Sequence, residues 1–224
     1  MIPKIIWQTY ESEYKDLPPL ALECANSWQE KNPDWEYRYV SGKERAEFVL
    51  KNFDEEWLTI YKSYKTGVSR SILWKYMALY VYGGLYSDID ILCKKPIDAW
   101  FNLNKNFFAS EDPKGPGYSD MFFVSSSNNI FLKNILNNIK NKYYEKNIYS
   151  NIIDYTTNEV GYVIFTNSIQ QTIFSKEVDP NSFLLYTDKD AEKLHNELIN
   201  HYRAGRKEKV FGPNYIAWQT EEYK

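Results

Sequence analysis

Apolar residues along this chain recur with two different periods, which predict strands in some segments and helices in others. Short apolar runs bounded by turn residues are typical of strands, whereas apolar residues three or four apart are typical of amphipathic helices. The predicted strands are Lys4–Gln8, Trp35–Val40, Leu85–Leu92, Phe107–Ser110, Met121–Ser125, Tyr162–Thr166 and Phe183–Tyr186. The predicted helices are Leu20–Trp28, Lys43–Leu50, Asn52–Tyr64, Val68–Tyr82, Ile130–Lys142, Asn167–Phe174 and Asp188–Asn200. Strands that alternate with helices in this order favour one α/β domain.

The centre of the chain carries the most informative pattern. Apolar residues from Val68 to Leu79 keep one helical face, so we expect a buried helix of about four turns at roughly 3.6 residues per turn. Gly83-Gly84 follows, and its first glycine suits the left-handed cap that ends many helices. The predicted strand Leu85–Leu92 comes next and carries the residues with the most distinctive chemistry.

Length and composition are those of a folded domain with a buried core. The chain has 224 residues, of which 43% are hydrophobic, so we expect one globular domain over residues 1–224. A net charge of −3 and an isoelectric point near 5.6 argue against a nucleic-acid partner. Aromatic residues reach 17%. Rings with polar edges suit sugars and nucleobases, and a compositional bias of the genome explains them equally well.

Features that bear on the cellular compartment favour the cytoplasm. The two cysteines, Cys24 and Cys93, form neither a Cys-x-x-Cys pair nor a cluster with zinc spacing. The first residues carry no basic region followed by an apolar run, so no signal peptide is expected. No apolar run has membrane-spanning length. We therefore expect a cytoplasmic protein without a membrane span, for which peripheral association with a membrane stays open.

Two carboxylates, Asp88 and Asp90, stand two residues apart in the predicted strand Leu85–Leu92. Residues i and i+2 of a strand point to the same side, so we expect both carboxylates to face one point while Ile89 and Ile91 face the core. Like charges held close repel, and a hard divalent cation with oxygen ligands compensates them. Mn²⁺ or Mg²⁺ held in this way neutralises a departing nucleoside diphosphate and favours sugar transfer.

An Asp-x-Asp pattern alone has low specificity. Asp188-Lys189-Asp190 repeats it in the same chain, where it is typical of an exposed helix N-terminus with acidic residues near the positive end of the dipole. The copy at Asp88-Ile89-Asp90 differs because it follows a buried helix, a Gly-Gly stop and a strand. On residue chemistry alone, an acidic turn at the end of a strand is the alternative interpretation.

A longer run around the motif resembles a known family. Residues 71–90 read SILWKYMALYVYGGLYSDID. This run is similar to the Asp-x-Asp region of glycosyltransferase family thirty-two, which includes fungal initiating mannosyltransferases and bacterial capsular sugar transferases. It is more distantly similar to the glucosylating domain of the large clostridial toxins. Residues 2–9, then Ser27-Trp28 with residues 32–37, also resemble this family and occur in its order.

The resemblance implies a GT-A fold, in which one α/β domain has a central, mostly parallel sheet flanked by helices. The nucleotide would bind at the carboxyl ends of the strands, as on other open α/β sheets. It also implies a retaining, metal-dependent transferase that moves a hexose from a UDP- or GDP-sugar to a glycan or glycolipid acceptor. By position, Asp90 is the direct ligand of Mn²⁺ or Mg²⁺. Asp88 contacts the donor or reaches the metal through water.

Further donor-binding residues follow from the same resemblance. Tyr86 lines the donor site, and Trp7 and Gln8 border the nucleobase. Trp218 takes the place of a tryptophan that closes over the donor in the toxin-like relatives. We therefore expect residues 204–224, which glycine and proline punctuate, to form a C-terminal lid.

Three positions depart from the family, which usually has His, Asp and Arg where this chain has Trp7, Ile72 and Lys75. In relatives that Asp and Arg hold the sugar and the phosphates of the donor. Lys75 keeps the charge and is expected to bind the donor, but it lacks the two-pronged geometry of arginine. Ile72 has no hydrogen-bonding group. A non-catalytic binder of nucleotide sugars or glycans is therefore the alternative function.

Two further points concern the acceptor and a competing activity. Asp120 precedes the strand Met121–Ser125, where GT-A enzymes often place a polar residue, and it is the candidate for acceptor binding. A loop aspartate without this role is the alternative. A nucleotidyltransferase would also use a carboxylate-bound metal, but it usually has a Gly-rich basic loop after its first strand. Residues 9–13 read TYESE instead, which makes that activity the weaker hypothesis.

Overall fold

The computed structural model describes residues 1–112 and 117–201 of the chain. Its strands are β1 Ile5–Tyr10, β2 Glu36–Ser41, β3 Gly84–Ser87, β4 Ile91–Cys93, β5 Phe107–Glu111, β6 Tyr118–Ser125, β7 Phe183–Tyr186 and β8 Ile199–His201. Its α-helices are α1 Pro19–Lys31, α2 Gly42–Asn52, α3 Glu55–Ser63, α4 Gly67–Tyr82, α5 Ile130–Glu145, α6 Ile152–Glu159, α7 Tyr162–Phe174 and α8 Asp188–Lys193. No helix among these residues has the length and apolar character needed to cross a membrane.

Six strands form the central sheet, in the order β2-β1-β3-β6-β5-β7. β1 runs parallel to β2 and β3, and β7 runs parallel to β5, whereas β6 runs antiparallel to β3 and β5. The sheet is therefore mixed rather than mostly parallel, because a short connection between β5 and β6 reverses the chain. The carboxyl ends of β1, β2, β3, β5 and β7 meet the amino end of β6 at one edge, which we call the carboxyl edge.

Alternation of side chains along the strands builds one hydrophobic layer on each face of the sheet. Trp7 and Phe123 belong to the larger layer, which also contains buried residues of α4, α5 and α7. Their chain neighbours Ile6 and Phe122 belong to the opposite layer, together with Trp28 of α1. Both faces of the sheet are covered in this way, so the carboxyl edge is supported from both sides.

Helix α4 is buried along most of its length, as the pattern predicts. The Thr66 side chain caps its start by accepting a hydrogen bond from the Ser69 amide. Gly83 follows its last turn with a φ of 69°, and its amide donates to the Leu79 carbonyl. A Cβ on Gly83 would lie 2.8 Å from the Ser127 nitrogen, so the turn needs glycine for both conformation and space. This turn leads the chain directly from α4 into β3.

Several predicted elements differ from the structure beyond the first half of the chain. Residues 162–166, predicted as a strand, are the start of α7, whose buried residues recur at helical spacing. The sequence pattern does not predict α6. The predicted helix Asp188–Asn200 ends early, continues as a π-helical turn over Leu194–Leu198 and then forms β8, which pairs with β4. The lid expected over residues 204–224 lies outside the described residues.

Candidate active site

The carboxylates of Asp88 and Asp90 lie on a turn at the carboxyl edge, between β3 and β4. The Ile91 amide donates to the Asp88 carbonyl at 3.2 Å and closes this turn. The predicted strand Leu85–Leu92 is therefore interrupted, and strand alternation does not place the two carboxylates. Ile89 and Ile91 are buried, as predicted, although they pack in two different clusters. Asp90 is also buried, whereas the Asp88 side chain is 30% exposed and is the more open of the two.

Hydrogen bonds from neighbouring strands fix the backbone of the turn. The Gln8 amide on β1 donates to the Asp88 carbonyl at 3.0 Å, and the Tyr37 hydroxyl on β2 donates to Gln8 Oε1 at 2.8 Å. A carbonyl only accepts, so Gln8 presents its NH₂ group to Asp88 and keeps its oxygen for Tyr37. From the other side, the Asp88 amide donates to the Met121 carbonyl of β6 at 2.8 Å. Asp88 is thus held between β1 and β6.

Helix α1 holds the chain that leaves the turn. The Trp28 indole donates to the Ile91 carbonyl at 2.8 Å, and the Cys93 amide donates to the Ser27 hydroxyl at 2.9 Å. β4 pairs with β8 outside the central sheet. Side chains of α1 therefore satisfy backbone groups of β4 that would otherwise be buried without partners.

A buried network of charges and hydroxyls surrounds Asp88. The Lys75 ammonium of α4 lies 3.1 Å from Asp120 Oδ2 and 3.9 Å from Asp88 Oδ1, and Lys75 is only 2% exposed. The Tyr76 hydroxyl donates to Asp120 Oδ2 at 3.1 Å. The Tyr86 hydroxyl donates to Asp88 Oδ1 at 2.8 Å. The two carboxylates therefore share one ammonium, and each has its own phenol donor.

Burial and neighbouring charges shift the ionisation of this network. Burial raises the pKa of Asp88; the Lys75 ammonium opposes this rise, and the charges of Asp90 and Asp120 add to it. Burial also raises the pKa of Tyr76 and Tyr86 well above the ordinary phenol value, and the adjacent carboxylates reinforce that rise. Both phenols therefore keep their protons and act as hydrogen-bond donors. A cation bound at Asp88 would favour its charged form.

The carboxylates of this turn fit a divalent cation that takes its remaining ligands from a substrate. Asp88 and Asp90 offer hard oxygen ligands, and the charge of Asp90 acts on both Asp88 and Cys24. Within residues 1–112 and 117–201, no group of three or more His, Cys, Asp or Glu side chains forms a protein-only metal site. Mg²⁺ and Mn²⁺ commonly bind through one or two carboxylates and complete their shell with phosphate and water. The donor set suits this mode of binding.

Trp7, which the resemblance places beside a nucleobase, lies in the hydrophobic core. Trp7 is 3% exposed, and its indole donates to the Gly83 carbonyl at 2.9 Å. Its ring packs edge-on against Trp74 and also contacts Tyr82, while the Arg38 guanidinium lies over it. Strand alternation sends Trp7 into the larger hydrophobic layer, away from the face of β1 on which Gln8 reaches the turn.

The other predicted residues divide into two groups. Asp120 and Lys75 join Asp88 in one network, whereas Gln8 and Tyr86 are buried and direct their polar groups to Asp88. Trp218 lies outside the described residues. Sequence reasoning missed Tyr37 and Tyr76 as members of the site. The available signal was a tyrosine among apolar residues, because a buried phenol usually requires a hydrogen-bond partner.

The second Asp-x-Asp copy has the exposed position that the sequence predicts. Asp188 and Asp190 lie in the first turn of α8 and are exposed. Asp188, but not Asp190, lines a cavity of about 620 Å³ at the ends of β5 and β7, together with Glu111, Asp112 and Glu192. These strand ends belong to the carboxyl edge, so a strongly acidic cavity opens at the same edge as the Asp88–Asp90 turn.

Comparison with solved structures identifies the class of fold. The chain superimposes on the PaToxG glycosyltransferase with a TM-score of 0.58 and 16% identity, over 79% of this chain and 72% of that one. It superimposes on the UDP-bound glycosyltransferase domain from the YGT toxin with a TM-score of 0.59 and 9% identity, over 88% and 81% of the two chains. The predicted GT-A fold is confirmed, with the mixed sheet described above.

Sequence comparison shows which family the region around the turn resembles. Residues 18–107 match the model of the glycosyltransferase sugar-binding region containing the DXD motif. The chain is 28% identical to inositol phosphoceramide mannosyltransferase 1 of Schizosaccharomyces pombe over 152 residues, or 65% of this chain and 46% of the relative. It is 29% identical to the initiation-specific alpha-1,6-mannosyltransferase of Candida albicans over 119 residues, or 50% and 30%. The chain therefore spans less than half of either fungal relative.

A viral relative matches over a larger share of both chains. An uncharacterized glycosyltransferase of Acanthamoeba polyphaga mimivirus is 27% identical over 206 residues, which is 85% of this chain and 77% of the relative. The predicted resemblance to sugar transferases with an Asp-x-Asp motif is confirmed. The chain therefore combines a GT-A fold with a region similar to the DXD-containing region of glycosyltransferases.

Proposed function

We propose that this protein is a retaining, metal-dependent glycosyltransferase that moves a hexose from a UDP- or GDP-sugar to a glycan or glycolipid acceptor. The observation that carries the proposal is the Asp88–Asp90 turn, which lies at the carboxyl edge of a GT-A sheet with a buried ammonium beside it. Ligands of open α/β sheets bind at this edge. The names of the fungal relatives, which are mannosyltransferases, favour a mannose or related hexose donor.

The division of roles follows from exposure and charge. Asp90 and Asp88 would hold Mn²⁺ or Mg²⁺, which when bound would supply positive charge to compensate a departing diphosphate. Gln8 keeps the Asp88 backbone in place, and Tyr86 orients its carboxylate. Lys75 supplies a fixed positive charge close to where the diphosphate would lie. The glycosyltransferase domain from the YGT toxin, which shares the fold, is UDP-bound, and this supports a nucleoside diphosphate donor.

The acceptor would approach along the same edge. The acidic cavity beside Glu111 and Asp188 offers carboxylates that accept hydrogen bonds from sugar hydroxyls. Retention is proposed to proceed by departure and return on one face of the sugar, with the leaving phosphate accepting the proton of the incoming hydroxyl.

The cellular compartment is a separate part of the proposal. Cys24 and Cys93 are free thiols, which supports our expectation of a reducing, cytoplasmic compartment.

A second candidate is a binder of nucleotide sugars or glycans that has lost turnover. Two residues of α4 support this candidate. Ile72, in the position where family members usually have Asp, is apolar and packs against the main core. Lys75, in the position of the family Arg, is hydrogen-bonded to Asp120. Tight binding without hydrolysis or transfer on any donor would favour this candidate over the enzyme.

The experiment that tests the proposal is a screen of UDP- and GDP-sugars for Mn²⁺-dependent hydrolysis, with two matched variants. Asp90→Ala removes the proposed metal ligand, and Asp190→Ala removes the same side chain from the exposed second copy. We expect activity to fall at least about 100-fold in the first variant, because the charge on the leaving group loses its compensation. Asp190→Ala should keep activity near the wild-type level. Equal activity of wild type and Asp90→Ala would refute the assignment.

A further inference from the structure

An irregularity in β6 brings a third carboxylate to the Asp88–Asp90 turn. Two consecutive residues of β5 pair with Phe123 and Ser119 of β6, so residues 120–122 bulge out of that ladder. Bulges bend a strand and redirect its side chains, and they are frequent next to functional sites. This one sets Asp120 against the Lys75 ammonium.

The Lys75 ammonium has two carboxylates in reach and binds them unequally. Its distance to Asp120 Oδ2, 3.1 Å, is that of a charge-assisted hydrogen bond, whereas its distance to Asp88 Oδ1, 3.9 Å, allows only a charge interaction. The Tyr76 hydroxyl also donates to Asp120 Oδ2 and fixes this carboxylate. Asp88 is therefore partly compensated in charge, yet Lys75 occupies none of its acceptor positions.

Asp88 and Asp120 also differ in exposure, and the carboxylate that Lys75 bonds less closely, Asp88, is the more exposed. The Asp88 side chain is 30% exposed and the Asp120 side chain 12%, while Lys75 is 2% exposed. Asp88 is thus the carboxylate that an incoming ligand meets, and Asp120 is the one that holds the lysine. A buried carboxylate and ammonium each require the other, because either one alone in the interior is strongly unfavourable.

We propose that Asp120 is a positioning residue, which holds the Lys75 ammonium away from the oxygens of Asp88 and so keeps Asp88 available to a divalent cation. The inference rests on the proposed metal-dependent function and gives Asp120 a role other than acceptor binding. The charges agree with this role, because the single positive charge of Lys75 cannot neutralise both of the carboxylates that it contacts, Asp88 and Asp120.

Direct Mn²⁺ binding, measured by electron paramagnetic resonance of the protein without donor, tests this role with charge-matched variants. Asp120→Asn leaves Lys75 with Asp88 as its anionic partner and removes one negative charge, so we expect Mn²⁺ affinity to fall about ten-fold. The double variant Lys75→Met/Asp120→Asn removes one positive and one negative charge, so the site keeps the net charge of wild type and has no ammonium to move. Its affinity should return to within about three-fold of wild type.

Two further variants and the contrary outcomes complete the test. Tyr76→Phe keeps every charge and removes one hydrogen bond to Asp120, so it should weaken Mn²⁺ binding about two- to three-fold. Asp98→Asn, at an exposed ion pair with Lys4, should change nothing. Absence of Mn²⁺ binding by wild type, or binding that Asp90→Ala does not weaken, would overturn the proposed function together with this inference.

The inference fails alone if Asp90→Ala weakens Mn²⁺ binding while Asp120→Asn does not. It also fails if the double variant binds Mn²⁺ as weakly as Asp120→Asn, because Asp120 would then act directly on the ligand. Thermal denaturation monitors folding of each variant. If Asp120→Asn does not fold, the double variant alone tests the inference, because it removes both Lys75 and Asp120. A Mn²⁺ affinity near that of wild type then supports the positioning role of Asp120, and a ten-fold loss refutes it.

Discussion

The side chain of Gln8 provides the sharpest test of how the turn is held. Gln8 is fully buried, and its amide joins the Tyr37 hydroxyl of β2 to the Asp88 carbonyl after β3. Gln8→Leu keeps nearly the same volume and removes both hydrogen bonds. It leaves the Tyr37 hydroxyl without an acceptor in a place where burial already raises the pKa of the phenol. The substitution therefore removes the side-chain hydrogen bonds that connect the adjacent parallel strands β2, β1 and β3.

The magnitude follows from the bonds that are lost. Each hydrogen bond contributes about 1 kcal/mol net, and a buried hydroxyl left unpaired costs about 1–3 kcal/mol. Burial of the apolar methyl groups of leucine offsets part of this loss of stability, by roughly 1 kcal/mol. We expect Gln8→Leu to lower the free energy of unfolding by about 2–4 kcal/mol. In a Tyr37→Phe background only the bond to Asp88 is lost and no hydroxyl is left unpaired, so the same change should cost less than about 1 kcal/mol.

Urea denaturation followed by circular dichroism measures both numbers, and a constant m-value confirms that the same surface unfolds in each variant. Gln29→Leu is the matched control, because Gln29 is an exposed glutamine on α1 that bonds the Tyr14 hydroxyl. It should cost less than about 0.5 kcal/mol. Equal losses for Gln8→Leu and Gln29→Leu, or an effect of Gln8→Leu that Tyr37→Phe leaves unchanged, would refute the reasoning.

Three other predictions follow from the same geometry. Gly84→Ala should lower the free energy of unfolding by about 2–3 kcal/mol in urea denaturation, because its φ is 109° and a Cβ would lie 2.5 Å from the Ile5 carbonyl oxygen. A result below 0.5 kcal/mol, roughly the level of an ordinary surface change, would contradict the need for glycine. Trp28→Phe removes the hydrogen bond to Ile91 and should cost about 2 kcal/mol in the same assay, with unchanged stability as the contrary result. Burial raises the pKa of Asp88, so its neutral form persists to a higher pH than that of a free aspartate. Mn²⁺ affinity in a pH titration should therefore fall as pH decreases through this raised pKa, and an affinity independent of pH would contradict it.

Much of the candidate site was predictable because its signals are local. The helix α4, its end at Gly83 and the acidic residues Asp88 and Asp90 follow from residue types within one stretch of chain. The family resemblance depends on the same stretch. The interruption of the strand Leu85–Leu92 was not predictable, since an apolar residue such as Ile89 fits a strand and a buried turn equally well.

The contacts that define the site join residues far apart in the chain. Gln8 meets Asp88, and Lys75 meets Asp120, only because the sheet order places β1 and β6 on either side of β3. The position of Trp7 also depends on the sheet, which here separates a residue from the site. It neighbours Gln8 in sequence, but strand alternation sends it to the other layer of the core.

Local residue patterns were therefore enough to predict the α/β class, the buried central helix, its glycine stop and the pair of carboxylates that follow. Each of these depends on backbone preferences and periodicity over a few residues. Contacts between distant segments set three further features: β6 runs antiparallel, its bulge brings Asp120 to Lys75, and the Gln8 side chain supports the backbone of the turn. These outcomes depend on strand pairing and register between distant segments, which local patterns do not encode.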